Sequence, residues 1–541
     1  MAPKPSTLRI GNRYRPNRLQ GPYDAVIVGS GISGLTCGAL LSALGKKVLV
    51  LEQHYTAGGF THSYSREGYE WDVGVHYIGD MGAPTMPRRL MDWLTRGQLK
   101  WAPMDAVFDR FFFGDQQHDV LTGKQEYRAA LKQKFPQEHA AIDGYFARLA
   151  RVGQDFQVYA ASKFLPPAVA RLAAPVLKKT VSRDFFRTTG EVIGELTGNP
   201  DLQAALTGQW GDYGLPPSQS AFIMHALVAR HYLHGGFYPV GGSWRMAETI
   251  IPRIQAAGGE VMTYAQVDGI LTEGRRVRGV RMADGTEIAC RTVISSAGVH
   301  NTFGRLLPEP LVRELGYAAA LQKVTPSMGH LGAYIGLKKT AAELQLPRTN
   351  YWVYPSTDYD GDLQRFLQDR HAPFPVVYLS FPSAKDPDFA RRHPGRATIE
   401  IVAPAPFEWF AAWQDQPWGK RGDDYEALKQ ALGERLMAVL YEKLPQLKGQ
   451  VDYVEFSTPL STQYFNAYRY GELYGLNHDP QRFQQDWLRP RTRIQGLWLT
   501  GQDILSCGVA GALSSGLVTA LNVAGPRLLP VLKQALGKSP A

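Results

Sequence analysis

Residues 23–29, YDAVIVG, form a short unbroken apolar run that suits a buried parallel strand. The stretch LTCGALLSALG after Gly34 reads as a helix, with Gly45 as its C-cap. KKVLVLE then gives a second strand ending at Glu52. Together they make a strand–helix–strand unit within about thirty residues. Later, VMTYAQVDGIL, RRVRGVRMADG and TEIACRTVISSAG (261–298) alternate as a small β-meander, with turns at Glu273-Gly274 and Asp284-Gly285. Residues 85–234 read as mostly helical. Within 320–460, MGHLGAYIGL, FPVVYLSFPS and ATIEIVAPAP are strand-like and DDYEALKQALGERLMAVLYEKL is helical, so a sheet with one functional face is expected. Near the end, GLWLTGQDILSCGVAGALSSG gives a strand, then Gly501-Gln502-Asp503, then a glycine-rich helix start.

Length and composition narrow the class. A chain of 541 residues is too long for one simple core, which implies two or more domains. Hydrophobic residues at 44% and charged residues at 20% are ordinary for a folded protein. Cys37, Cys290 and Cys507 are too few and scattered for a disulfide framework or zinc site, so a reducing cytoplasm is the default compartment. No metal site is expected: His231 and His234 have no nearby Cys, Asp or Glu and read as solvent-facing or hydrogen-bonded histidines. The net charge of +10 fits either a solvated basic surface or attraction to an anionic membrane. No basic helix or aromatic RNA-binding signature points to nucleic acid. Residues 1–20 carry Lys4, Arg9, Arg13, Arg15 and Arg18 without an acid or an apolar core, and read as a mobile basic arm rather than a secretory signal. No uninterrupted apolar stretch approaches a membrane span, so any membrane contact is expected from one side.

The strand–helix–strand unit carries chemistry. Gly29 permits the tight turn of Gly29-Ser30-Gly31-Ile32-Ser33-Gly34, Gly31 lets backbone approach a pyrophosphate, and Gly34 lets helix pack on strand. The helix N-terminus offers free N–H groups to phosphates. Glu52, 18 residues after Gly34, stands where an acid receives ribose hydroxyls. No second GxGxxG is present, so the electron donor or acceptor is separate, or visits transiently. HExxH, CxxC, G-x-S-x-G and Walker patterns are missing too.

The Gly58-Gly59 pair resembles the second flavin contact of the glutathione-reductase-like FAD superfamily. That resemblance implies a cofactor set of Gly29, Ser30, Gly31, Ser33 and Gly34; Glu52 and Gln53; Gly58, Gly59, Thr61 and His62; Val267 beside the adenine; Gly501, with Asp503 on the ribityl hydroxyls; and Val509 and Ala510 at a helix N-terminus facing the flavin's pyrimidine edge. The implied fold is α/β: a discontinuous Rossmann-type FAD-binding domain, a substrate domain of mixed sheet plus helices, and a helical membrane-facing lid. The chain divides into a basic arm (1–20), FAD-domain pieces (21–84, 235–310, 488–541, the last with a C-terminal helix), a helical substrate and lid region (85–234) and a sheet-plus-helix substrate domain (311–487).

Within that superfamily the chain resembles the phytoene-desaturase-related flavoproteins, and most of all the retinol saturases, alongside carotenoid isomerases. The likeness rests on GGFTHSYSREGYEWDVGVHYIGDM (58–81), HGGFYPVGGS (234–243) and GLWLTGQDILSCGVAGAL (496–513). It departs from animal retinol saturases in lacking a hydrophobic N-terminus. It implies chemistry on a carbon–carbon double bond of a long hydrophobic lipid (retinoid, carotenoid or fatty acyl), in a dry tunnel about 3–3.5 Å from flavin N5. A saturase is expected first. The alternatives are a desaturase or oxidase using oxygen or quinone, a redox-neutral cis–trans isomerase, and lastly a flavin-free lipid escort. His76, Tyr77 and Tyr238 are candidate proton donors; each is alternatively a tunnel wall. Residues 164–187, FLPPAVARLAAPVLKKTVSRDFFR, read as prolyl-broken helical pieces that either pack on the body or dip into a membrane. A cytoplasmic, peripherally membrane-associated protein is the overall expectation.

Overall fold

The computed structural model describes residues 7–82 and 84–537. Its first layer is a six-stranded parallel sheet, in the order Asn12–Arg13, Glu260–Thr263, Val48–Leu51, Ala25–Val28, Val293–Ser295, Leu497–Leu499. Strands Ala25–Val28 and Val48–Leu51 are buried throughout, as unbroken apolar runs require in a sheet covered on both faces. Helix Ile32–Ser42 is buried along its whole length and packs against Gly508–Ala524 and Arg245–Gln255. Residues distant in the chain thus share one core.

The second layer is a seven-stranded mixed sheet, in the order Val451–Ser457, Gly329–Leu337, Ala397–Ala405, Val377–Ser380, Asn350–Tyr354, Val107–Phe113, Gln116–Leu121. Alternation divides its faces. Leu331, Ile335, Leu379, Ile399 and Ile401 pack on Leu432, Leu436 and Leu440 of helix Asp423–Lys443. Trp352, Tyr378 and Val402 turn the other way, into the helical core built by His139–Ser162 and Phe222–His231. Each large apolar side chain so buried contributes roughly 1.5–3 kcal/mol.

Several expectations change. The 261–298 meander is shorter than its pattern: only Val267–Glu273, Arg276–Met282 and Glu287–Ala289 form the antiparallel sheet, while Glu260–Thr263 and Val293–Ser295 join the parallel sheet. The region 85–234 is not only helical, because hairpin Val107–Phe113/Gln116–Leu121 completes the large sheet by pairing parallel with Asn350–Tyr354. Asn350 and Asp109 are register partners there. Residues 7–20 are not a mobile arm: Asn12–Arg13 extends the parallel sheet beside Met262 and Thr263, and the Arg9 and Arg13 guanidinium groups lie over Tyr55 and Tyr264 at 4.3 and 4.8 Å. The earlier part of the arm lies outside the described residues.

Segment 164–187 holds one helix, Pro167–Thr180, with Pro175 inside it, followed by the turn Arg183–Phe186. Finally, Gly508–Leu536 is long and apolar enough by composition to cross a membrane, which the sequence reading did not anticipate. Its first helix nevertheless packs against Ile32–Ser42 so closely that a Cβ on Gly516 would meet the Ser33 carbonyl at 2.5 Å.

Candidate functional site

One cleft runs along the carboxyl ends of the parallel strands. Its walls include Gly29, Gly31, Ser33, Glu52, Gln53, Gly58, Gly59, Thr61, Val267, Gly501, Asp503 and Val509. Residues from all three segments of the dinucleotide domain therefore converge on a single space. Gly29 has φ +99°, as the turn out of the strand demands. A Cβ on Gly34 would strike the Gly29 carbonyl at 2.3 Å, whereas one on Gly31 would come no nearer than 4.0 Å to any neighbour. Gly34 is thus needed for packing, and Gly31 faces the open cleft. The first helix begins at Ile32 with no side-chain cap, and Gly508–Ala524 also starts uncapped in the same cleft. Two helix N-termini with free N–H groups aimed into one elongated space suit an anionic dinucleotide.

Polar side chains fix the shape of the cleft. Glu52 accepts from the Ser30 N–H (2.9 Å), the Ser30 hydroxyl (2.7 Å) and the His54 N–H (2.9 Å). The Gly58 N–H donates to Ser30 Oγ at 3.1 Å, tying the Gly58-Gly59 turn (φ +124° and +56°) to the first loop. Asp503 accepts from the Val299 and Leu476 N–H groups at 2.9 and 3.1 Å. Each carboxylate keeps lone pairs beyond these bonds, so both can also receive ligand hydroxyls. The donor set and the uncapped helices therefore fit the dinucleotide.

Not every residue anticipated for the cofactor reaches the cleft. Ser30 is fully buried and acts through Glu52 and Gly58. Gly34 lies behind the loop, and Ala510 is turned off the lining by the helical rotation that presents Val509 and Ala512. His62 hydrogen-bonds the Gly59 carbonyl through Nδ1 at 2.6 Å and faces a neighbouring cavity. Sequence reasoning missed Phe60, Gly74, Val75, Ser296, Asn301, Arg305, Tyr468 and Tyr474, all in the cleft wall. Ser296 was legible as the loop after an apolar strand; Tyr468 and Tyr474 come from an irregular segment with no local signal. Cys507 is buried beside the second helix, its Sγ 3.7 Å from the Asp212 carbonyl, with burial pushing its thiol up to about 12. It packs as an ordinary buried thiol.

None of the three candidate donors lines the cleft: His76 and Tyr77 follow its lining pair Gly74-Val75, Tyr238 comes from strand Phe237–Pro239, and all three enter a polar network of buried side chains beside it. Tyr238, 2% exposed, donates to Asp72 Oδ2, and Asp72 also accepts from the Ser63 hydroxyl and the Ser243 N–H. Tyr77 lies 2.9 Å from both Asp109 and Asp212. His76 keeps a partly open edge, with its side chain 16% exposed; Nδ1 is 2.9 Å from Glu400 Oε2, and Nε2 has no partner among the described residues. Burial, with Lys385 and His330 nearby, lowers the His76 pKa to about 3. Burial and Asp72 hold the Glu400 carboxyl well above its usual range. Lys385 donates to the His76 carbonyl (2.7 Å), Asn350 Oδ1 (2.8 Å) and Ser380 Oγ (2.7 Å), and desolvation lowers it to about 7. His231 is hydrogen-bonded as anticipated, accepting from the Gly79 N–H at 2.8 Å, but the fold does bring an acid to the pair: Asp80 lies 3.2 Å from His231 Nδ1 and 3.5 Å from His234 Nδ1.

Two further cavities adjoin these elements. One of about 580 Å³ shares His54 and Asn466 with the cleft. Its wall mixes Tyr64, Tyr334 and Phe456 with Arg66, Lys429 and Glu455, so this cavity is partly polar. Another, of about 360 Å³, lies under helix Pro167–Thr180 and is walled by Val158, Leu165, Ala170 and Phe483. On that helix Val169, Leu172 and Val176 stand 47%, 80% and 65% exposed.

Comparison with known proteins places the fold and the chemistry. Residues 27–92 match the NAD(P)-binding Rossmann-like domain family. The all-trans-retinol 13,14-reductase of Rattus norvegicus is 40% identical over 543 residues, covering 97% of this chain and 89% of that protein. The chloroplastic prolycopene isomerase of Arabidopsis thaliana is 26% identical, covering 93% and 82%. Among solved structures, the cyclohexylamine oxidase from Brevibacterium oxydans IH-35A superposes with a TM-score of 0.58 at 15% identity, covering 95% of this chain and 100% of that one. The architecture is thus that of the Rossmann-type oxidoreductases.

Proposed function

The chain belongs to the all-trans-retinol 13,14-reductase family of FAD-dependent oxidoreductases, and on that footing we propose that it saturates a carbon–carbon double bond of an all-trans retinoid or a related polyene lipid. The observation that carries the reading is 40% identity to a retinol reductase across 97% of the chain, with Gly29, Gly31, Gly34, Glu52 and Asp503 all in place. FAD is the dinucleotide of this reading; Gly29–Ser33 and Gly58-Gly59 would hold its pyrophosphate, Glu52 its ribose and Asp503 its ribityl chain. When bound and reduced, it supplies a hydride.

The chain's own residues do the rest. They exclude water from the double bond, orient it, and bring a proton to the carbon that does not take the hydride. Among the three candidate donors, His76 has the favourable geometry, because its Nε2 is unpartnered and its ring edge open. Tyr77 and Tyr238 are engaged with carboxylates and fix the network around His76. Electrons come from a separate donor.

The exposed Val169, Leu172 and Val176, at helical spacing beside Arg171, Lys178 and Lys179, support docking on an anionic membrane from which an apolar substrate is drawn. Anaerobic incubation of pre-reduced holoprotein with all-trans-retinol tests the activity. A product two hydrogens heavier is expected. A product of equal mass, as the prolycopene isomerase relative would suggest, or one two hydrogens lighter with an added acceptor, overturns it.

A further inference from the structure

Two acids in the buried network differ in how many donors they face. Asp72, 2% exposed, receives the Ser63 hydroxyl, the Tyr238 hydroxyl and the Ser243 N–H. Three donors on two oxygens stabilise a carboxylate. Glu400, 1% exposed, receives one committed donor, the Asp72 N–H at 2.7 Å on Oε1. Its other oxygen meets His76 Nδ1, which is able either to give or to take a proton. Two adjacent buried carboxylates do not both ionise cheaply, so the less satisfied one keeps its proton. That is Glu400.

The tautomer of His76 follows. If Glu400 Oε2 bears the hydrogen, it donates to Nδ1, and the ring hydrogen sits on Nε2 at the open edge. Lys385 reinforces this arrangement by donating to the His76 carbonyl, which anchors the residue from its backbone side. Lys385 also reaches Ser380 Oγ at 2.7 Å, and Ser380 is the cross-strand register partner of Glu400, so the ammonium lies on the Glu400 face of the sheet. With Asp72 ionised, Lys385 charged, and Glu400 and His76 neutral, the group carries no net charge. Asp386 nearby is separately matched by Arg392 at 2.8 Å, and Asp109 by Asn350 and Gln209. Among the remaining titratable neighbours, burial keeps His330 neutral and holds the Tyr238, Tyr334 and Tyr378 phenols protonated.

We propose that Glu400 and His76 form a two-step proton relay, in which Glu400 is the store, His76 the donor to substrate carbon, and Lys385 the positioning charge. The inference rests on the saturase reading above. In the reduction the Nε2–H bond breaks as a C–H bond forms on the carbon next to the one that would take the hydride a bound, reduced flavin would supply. At the same time the Glu400 O–H bond breaks and Nδ1–H forms. The imidazole stays neutral and only changes tautomer; Glu400 is left a carboxylate beside Lys385. When product leaves, water protonates Nε2, and the Nδ1 proton returns to Glu400. No sequence motif marks Glu400, although a lone acid inside the apolar run ATIEIVAPA was a visible anomaly.

Nuclear magnetic resonance of wild-type protein labelled with ¹⁵N-histidine tests the resting state without any turnover. The His76 signal, assigned by its loss in His76→Gln, is expected to show a neutral ring with Nε2 protonated at pH 7. An imidazolium or an Nδ1–H tautomer overturns the relay. The isosteric Glu400→Gln variant keeps a donor toward Nδ1 but has no proton to give. Its single-turnover reduction is expected to slow about 100-fold, with melting temperature and bound flavin unchanged. Reduction at the wild-type rate overturns the relay while leaving the saturase reading intact. If the wild-type protein yields no heavier product from any polyene, the saturase reading fails instead, and the tautomer alone decides whether Glu400 stores the proton.

Discussion

The Tyr77 hydroxyl lies 2.9 Å from Oδ2 of Asp212, and it lies equally far from Oδ2 of Asp109. A phenol has one hydrogen and donates it once. Asp109 also receives the Asn350 and Gln209 amides at 3.0 and 2.8 Å, so it is the better-solvated anion and takes the Tyr77 hydrogen. Asp212 then has to be the carboxylic acid, donating to the Tyr77 oxygen. Burial and Asp109 hold the Asp212 carboxyl well above its ordinary range, in agreement with that count. Asp212→Asn is expected to cost about 1 kcal/mol or less, since it replaces a neutral donor with a neutral donor. Asp109→Asn is expected to cost about 3 kcal/mol, because three donors lose their charged acceptor. Denaturant titration checks the asymmetry, and one component of the protonated-carboxyl infrared band, to which Glu400 also contributes, should be lost in Asp212→Asn and kept in Asp109→Asn.

The dinucleotide loop separates packing from ligand contact within three residues. A side chain on Gly34 collides with the Gly29 carbonyl, so Gly34→Val is expected to lower the melting temperature as well as flavin content. A Cβ on Gly31 comes no nearer than 4.0 Å to the protein, at Ser296 Oγ, and stands in the cleft. Gly31→Val should therefore fold normally while binding FAD more than tenfold weaker, about 1.4 kcal/mol. Absorbance of the purified variants and flavin titration of the stripped protein distinguish the two; equal thermal loss in both would contradict the division.

What was readable from sequence was what local chemistry dictates. Ala25–Val28, Gly29 to Gly34 and Val48–Leu51 announce themselves because a buried strand, a tight turn and a helix start each restrict residue type at fixed spacing. The alternation in ATIEIVAPA likewise signals a sheet with two different faces. What was hidden depends on distant partners. Asn12–Arg13 has no apolar pattern, and it becomes a strand only because Met262 and Thr263 offer a sheet edge. The hairpin 107–121 joins the large sheet through Asn350–Tyr354, more than two hundred residues later. Glu400, Lys385 and Asp212 come together from three segments, so no window of sequence contains the network they make.

Acid should destabilise the protein in a characteristic way. Burial lowers His62, His76, His118 and His225 to about 3, and His54 and His330 to about 4. A base with a depressed native pKa stays neutral in the fold, while the unfolded chain binds a proton below about 6.5. Stability is then complete above 6.5 and lost as pH falls toward 4, by roughly 1.4 kcal/mol per pH unit for each histidine. Between 4.5 and 6.5 acids that burial raises oppose this, foremost Asp212, Glu400 and Glu472, because they are protonated only when folded; Asp72, Asp109, Glu455 and Asp479 are raised in the same direction. Below 4.5 the two glutamates, and below 3.8 Asp212, become protonated in both states, and the opposition fades. Urea midpoints measured from pH 7 to 4 should fall gently at first and steeply below 4.5; a flat profile would mean that these histidines are solvated.

Helix Pro167–Thr180 presents Leu172 and Val176, the two most exposed of its described apolar side chains, toward solvent. A protein that works in water alone gains nothing from such a face, whereas one that docks on lipid buries it. Leu172→Glu with Val176→Glu is expected to reduce sedimentation with phosphatidylserine vesicles at least tenfold and to leave melting temperature unchanged. Neutral vesicles should bind the wild-type protein less, since Arg171, Lys178 and Lys179 flank the face, by about 1 kcal/mol per basic residue. Equal binding of variant and wild type would remove this helix from the membrane contact.

The Lys385 ammonium gives the proton relay a pH signature. Desolvation lowers Lys385 to about 7, with Glu400, Asp109 and Asp72 working in the opposite direction. Its three partners tolerate either state. The His76 carbonyl and Asn350 Oδ1 only accept, but the Ser380 hydroxyl reverses and donates when the amine loses its third hydrogen. The charge is therefore present below pH 7 and lost as pH rises through 7, without breaking the hydrogen bonds that hold His76. Once it is lost, the carboxylate left on Glu400 after proton delivery has no neighbouring cation. The single-turnover rate of double-bond reduction should then fall about tenfold between pH 6 and 8.5, the equivalent of about 1.4 kcal/mol at the barrier. In Glu400→Gln no carboxylate forms, so the same pH limb should be missing from its slower reaction. A limb that survives in Glu400→Gln would show that Lys385 acts on something other than the Glu400 proton.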